Sequence, residues 1–262
     1  MHWNTPVNIE KPSFFIQPCE EILFVGSCFA DNMARYMSED KFRVTVNPFG
    51  TMYNPASVLH TIERLQTVPR VAFITLGTNH VYILKETGEI VDNCQKRPQS
   101  LFIEEELSVD ACADYLTKAI DLLHEINPAM RIVLTVSPIR YRKYGYHGSQ
   151  LSKATLLLAT RQVAGASYFP AYELINDELR DYRFYQADML HPSDQAVEYI
   201  WQRLSEVYLS DEAKAFLKEW APLKAVLNHK PFDPESPDYK ALMDKTMLKV
   251  AALSEKYPNF AV

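Results

Sequence analysis

Glycine is scarce in this chain, seven residues among 262, which excludes collagen-like and flexible low-complexity architectures. The cysteines are also few. Cys19, Cys28, Cys94 and Cys112 form no CxxC pair and have no matching histidine spacing, which argues against a structural zinc site, and no metal is expected. No apolar run approaches the roughly 18 residues of a membrane span. Positive charge is in deficit: the net charge of −6 argues against a nucleic-acid partner, which binds to a basic face. The basic clusters, Lys96-Arg97 and residues 140–143, read as solvated loops. Residues 1–11 lack a basic segment followed by an apolar one, so no signal peptide is visible. Reduced thiols and a cytoplasmic location are therefore expected. There is no internal repeat.

What is present is an ordinary globular composition, 47% hydrophobic and 23% charged. A chain of this length can bury about three quarters of its unfolded surface in one α/β domain. The apolar run Ile22-Leu23-Phe24-Val25 predicts a buried strand that ends in Gly26-Ser27 and turns at once into a helix over 28–38. Further strands are predicted over 42–46, 71–76, 131–136 and 167–170. Helices are predicted from Pro55, over 108–126, over 151–163 after a loop at 140–150, and over 172–180. A hairpin of 81–85 and 89–94, turning at Gly88, interrupts this order. Residues 1–18 read as an arm over the surface. Alternating strands and helices imply a flavodoxin-like, doubly wound parallel sheet. Past Pro192 the pattern is helical over 192–209, 211–227 and 237–257. The expected division is an α/β domain over 1–209 and a helical extension over 210–262 packed on it.

Three of the seven glycines, Gly26, Gly50 and Gly77, lie at or just beyond the first three predicted strands. That placement suggests close backbone approach along one rim of the sheet. Ser27 at such a rim is either a helix N-cap or a nucleophile at a strand end, where open α/β sheets bind ligands. Asp188 and His191 stand three apart just before a helix, so the carboxylate can hold one imidazole nitrogen and leave the other as a base. Alone they read as a cap and a solvated histidine. Together with Ser27 they supply a Ser-Asp-His triad. Cys28 is a second candidate nucleophile at the helix N-terminus. Residues 27 and 28 point about 100° apart on a helix, and Cys28 is expected to pack into the core. His80, after Gly77-Thr78-Asn79, is a possible substrate-lining residue.

The block Gly26-Ser27-Cys28-Phe29-Ala30, with NPFGTMYNP at 47–55, QLSKATLLL at 150–158 and DYRFYQADMLHP at 181–192, resembles the GSCFA family within the SGNH (GDSL-like) hydrolase superfamily. The resemblance implies a bacterial protein with the SGNH-type α/β fold. It implies a serine hydrolase that cleaves an ester, deacetylation of an acylated carbohydrate being the narrow version, and it needs no cofactor. Ser27 becomes the nucleophile, His191 the base and Asp188 its orienter. The resemblance also implies oxyanion donors from the Ser27 and Gly50 backbone N–H groups and the Asn79 amide. Two departures stand out. No acid precedes Ser27, and His80 replaces the usual aspartate after Asn79. An O-acyltransferase would use the same residues, and a degenerate fold would bind a ligand without turnover. A purely structural module built on residues 211–257 is the remaining alternative.

Overall fold

The computed structural model describes residues 5–94, 97–257, 259 and 260. Lys96 of the first basic cluster and residues 1–4 of the predicted arm lie outside the described residues. Strand β1 (Glu21–Gly26) runs into α1 (Cys28–Glu39), and β2 (Arg43–Val46) follows. Asn54 caps α2 (Pro55–Ile62) by accepting from the Ser57 N–H, with Pro55 in the first turn, where its missing donor costs nothing. Strand β3 (Val71–Leu76) is buried throughout, as befits a strand covered on both faces.

A small antiparallel sheet comes next: β4 (His80–Leu84) between β5 (Ile90–Val91) and β6 (Phe102–Glu106). The hairpin forms with Gly88 at φ 72°, but β6 was not expected. That strand pairs antiparallel with β4, with Tyr82 of β4 donating to the Glu104 carboxylate at 3.2 Å and Lys143 meeting the same carboxylate at 2.9 Å.

Ser108 caps α3 (Val109–Ile126), which leads to β7 (Arg131–Val136). Helix α4 spans Gly145–Gln162, starting six residues earlier than the apolar pattern suggests. Its first turn, Gly-Tyr-His-Gly, has weak helix formers and no apolar stripe, and Gly145 at φ 69° turns the chain into it. After β8 (Ala166–Tyr168), the expected helix over 172–180 is one turn, α5 (Ala171–Glu173), that widens into a π turn over Leu174–Glu178. The chain ends in α6 (Asp194–Tyr208), α7 (Asp211–Asn228) and α8 (Pro237–Lys256).

All pairings in the main sheet are parallel, in the order β2-β1-β3-β7-β8. This is the doubly wound flavodoxin-like order, and its switch point falls between β1 and β3. Alternation splits the core. Ile22 and Phe24 face α1 and α6, whereas Leu23 and Val25 face α2 and α3. Phe24 stacks on Phe73 with centroids 4.8 Å apart, and truncating either to alanine should cost about 3–5 kcal/mol. The amino-terminal segment does more than lie on the surface. Ile9, Phe14 and Ile16 enter the first core, and Ile16 forms a parallel bridge with Leu209. Helices α7 and α8 share a separate apolar cluster with Cys19, around Phe216, Trp220 and Tyr257. Among the described residues no helix is long and apolar enough to cross a membrane, and all four cysteines are unpaired.

Candidate active site

The switch point is built from backbone. Gly26 adopts φ 141°, and a Cβ there would collide with the Thr75 carbonyl. Its N–H donates to Asn47 Oδ1 at 2.9 Å, and Asn47 Nδ2 donates to Asp31 Oδ1 at 3.0 Å. One side chain thus ties β1 to α1 and to the loop after β2. A Cβ on Gly77 would strike the Tyr141 hydroxyl and approach the Ser27 Cβ to 3.4 Å. Only glycine lets the ends of β1 and β3 close around this point.

Ser27 is 0% exposed. Its N–H donates to the Thr75 carbonyl at 3.0 Å, and its hydroxyl pairs with Thr75 Oγ1 at 3.2 Å. The same hydroxyl caps α1 by accepting from the Phe29 N–H at 3.3 Å. With Ser27 turned inward toward β3, the next residue on the helix faces outward. Cys28, expected in the core, is half-buried and lines a cleft of about 510 Å³ together with His191. Burial, then Asp31, push the thiol above its ordinary value, while the first-turn backbone N–H groups and Lys153 act in the opposite sense.

The loop before α6 holds the other half of the cleft. Asp188 Oδ2 lies 2.6 Å from His191 Nδ1, and Oδ1 accepts from the N–H groups of Leu190 at 2.9 Å and His191 at 3.0 Å. The hydrogen bond from His191, followed by those two backbone donors, draws the carboxyl down to about 2. Asp188 therefore stays ionised and selects the tautomer with the proton on Nδ1, which leaves Nε2 as the basic nitrogen. Met189 at φ 59° makes the turn possible, and Arg140 Nη1 donates to its carbonyl at 2.9 Å. The expected partnership of Asp188 with His191 is present, and Cys28 rather than Ser27 shares a cleft with it.

The three expected oxyanion donors do not converge. The Ser27 N–H is committed to Thr75, and the Gly50 N–H closes a turn onto Asn47 O at 2.8 Å. The Asn79 amide, 2% exposed, donates to Leu107 O at 2.8 Å and stands outside the cleft. His80 is buried under Tyr144, ring centroids 3.5 Å apart, with Nδ1 3.2 Å from Glu104. It does not line the cleft. Its place at the start of β4 turns it into the small sheet.

Two further residues border the cleft: Lys153, which the sequence reading missed, and Tyr141, from the aromatic loop 140–147 that it offered as an acceptor-groove lining. Lys153 on α4 is 2% exposed, with Nζ donating to Gly77 O at 2.5 Å and lying 5.0 Å from the centre of the Tyr141 ring. Burial pulls this amine down to about 7, Cys28 opposing, because no carboxylate repays the lost hydration. The signal was its position: Ser149, Ser152, Leu156 and Ala159 mark the buried face of α4, and Lys153 falls on it. Tyr141 lines the cleft, and its hydroxyl is buried without a partner among the described residues. Burial, with Cys28 next in order, keeps that phenol protonated and therefore a donor. No group of three His, Cys, Asp or Glu residues able to hold a metal occurs among the described residues.

Comparison with known proteins gives a family and a set of distant likenesses. A family model described as the GSCFA family matches residues 21–68 and 66–204, and one described as the GSCFA domain protein C-terminal domain matches 220–262. No curated protein matches the sequence significantly. Solved structures that resemble it include an acetyl-xylooligosaccharide esterase mutant from a Geobacillus. That structure is 13% identical, with 75% of this chain and 97% of the other covered at a TM-score of 0.46. Another is a member of the lipolytic protein G-D-S-L family from Veillonella parvula, 15% identical, covering 72% and 97%, TM-score 0.44. A third is a carbohydrate esterase family 3 protein from Talaromyces cellulolyticus, 10% identical, covering 76% and 99%, TM-score 0.41.

Proposed function

The chain belongs to the GSCFA family, and from that premise we propose that it hydrolyses acyl esters with His191 as its base and Asp188 as the orienter of that base. One observation carries the reading: a histidine that lines the cleft at the switch point is oriented through Nδ1 by a carboxylate 2.6 Å away. In the reaction, a nucleophile from the turn after β1 attacks the acyl carbonyl while His191 Nε2 accepts its proton. Negative charge gathers on the carbonyl oxygen near the positive end of α1. His191 then returns the proton to the departing alcohol. Water, activated by the same nitrogen, releases the acid. Ser27, the nucleophile that the resemblance implies, has its hydroxyl bonded to Thr75 and to the Phe29 N–H.

The narrower substrate is an acylated carbohydrate. Beyond Arg140 lies a second groove of about 500 Å³, lined by Tyr172, Tyr182, Tyr185 and Gln150. Arg140 lines both spaces and sits over the rings of Tyr182 and Tyr185 at 5.7 and 5.4 Å. Aromatic faces beside polar side chains suit a sugar ring. The same groove favours a second reading, acyl transfer to an alcohol seated there in place of water, using the same catalytic residues.

The test is turnover of nitrophenyl acetate and of acetylated sugars by the wild-type chain and by His191→Ala. kcat/KM should fall roughly 10⁴-fold or more in the variant. Equal turnover by both would remove His191 from the chemistry. Added sugar alcohols separate the two readings: acylated acceptor among the products means transfer, and free acid alone means hydrolysis.

A further inference from the structure

The turn after β1 offers two adjacent nucleophiles, and the fold treats them oppositely. Ser27 has no exposed surface, and its N–H and hydroxyl are bonded to Thr75 and the first turn of α1. Cys28, one residue on, faces the cleft that His191 faces. We propose that Cys28, not Ser27, is the nucleophile, so that the acyl group is carried as a thioester on its sulfur. This assignment rests on the ester-hydrolase reading above.

Two further observations fit a thiol at this point. Burial holds Cys28 as a thiol and not as a preformed thiolate, so the step needs a general base, which the His191–Asp188 pair supplies. Lys153, buried and without a carboxylate partner, is the basic side chain among the groups that favour the thiolate as it develops, and does so in its protonated form. The cleft also holds a donor for the oxyanion. The Tyr141 hydroxyl, buried and unpartnered among the described residues, stands over Gly77 at the end of β3. It takes the role that Gly50 and Asn79 cannot fill.

The step balances without any outside oxidant or reductant. The thiol proton passes to His191 Nε2 as the sulfur–carbon bond forms. The ester carbon–oxygen bond breaks, and the same proton leaves with the alcohol. Water then attacks the thioester carbon and gives one proton to His191. The sulfur departs, recovers that proton, and the acid is released.

The experiment is alkylation of the folded full-length chain with iodoacetamide at pH 7, read per cysteine by peptide mass spectrometry. Half-buried Cys94 is the internal reference, and Cys19 and Cys112 are buried. Cys28 should react, and its rate relative to Cys94 should drop at least fivefold in His191→Ala. In parallel, Cys28→Ala should lose ester turnover by roughly 10³-fold or more. Ser27→Ala should melt earlier through the lost cap yet keep turnover within about tenfold. A fluorophosphonate adduct on Ser27, or a Cys28 rate indifferent to His191, overturns the assignment. If no acyl ester is turned over but the His191-dependent reactivity of Cys28 stands, the ester reading falls and the thiol assignment survives.

Discussion

The two sides of the cleft are held by different kinds of structure. The turn after β1 rests on partners far along the chain: Gly26 on Asn47, Ser27 on Thr75, and Gly77 beneath Tyr141. The loop carrying His191 is held mostly by its own short-range bonds, with Arg140 the distant partner that donates to the Met189 and Leu190 carbonyls. Asp188 serves Leu190 and His191, Gln186 N–H donates to His191 O at 2.8 Å, and Ser193 N–H donates to Phe184 O at 2.8 Å. The first side is a product of tertiary packing and the second of local turn chemistry. Substitutions should therefore separate stability from chemistry in opposite ways on the two sides.

The largest expected effect breaks the local side without touching the fold. Asp188→Asn should lower kcat by roughly 10³–10⁴-fold through the wrong tautomer, with the urea midpoint unchanged. Because Asp188 is drawn down to about 2 and stays ionised through the assay range, it should add no proton of its own to the acid limb of kcat/KM. A slope of two, or a rate near wild type in the variant, would undo the pairing.

Next comes Tyr141→Phe, on the packed side. Removing one oxyanion donor should lower kcat by roughly 10²–10³-fold and leave Cys28 alkylation as it was. An unchanged kcat would strike the phenol from the site.

Lys153→Met is smaller and reads stability. In the unfolded chain this amine titrates near 10.5, and in the fold burial lowers it to about 7. Between those values the unfolded chain holds the extra proton, so raising the pH from 7 to 8.5 should raise the wild-type urea midpoint. The methionine variant carries no proton in either state and should show a flatter slope. Equal slopes would mean that the amine is better solvated than its 2% exposure implies.

These differences track what could be read from the chain. The Asp188–His191 pairing was legible because its members are three apart in sequence and sit before a helix. The strands β1, β3 and β7 were legible because both faces are buried and their runs are continuous. The outward turn of Cys28 was hidden, since it depends on Ser27 finding Thr75, 48 residues away. The engagement of the Asn79 amide was hidden for the same reason, since its partner Leu107 lies 28 residues on. Strand β6 was masked by three consecutive glutamates, and Lys153 by the habit of assigning lysine to solvent. Position on a buried helical face outweighs residue type there.

Helix α1 has a second consequence, for spectroscopy. Its amino end carries Cys28, and its carboxyl end is read by two indoles. Trp201 Nε1 donates to Asp40 Oδ2 at 2.8 Å, and Trp220 Nε1 donates to the Glu39 carbonyl at 2.9 Å. Twelve helical residues place the two ends about 18 Å apart. Intrinsic emission from these tryptophans therefore watches the docking of α6 and α7 onto α1 and is blind to polarity changes in the cleft. In a fluorescence melt these two indoles would follow that junction, and occupancy of the cleft would need a reporter attached elsewhere.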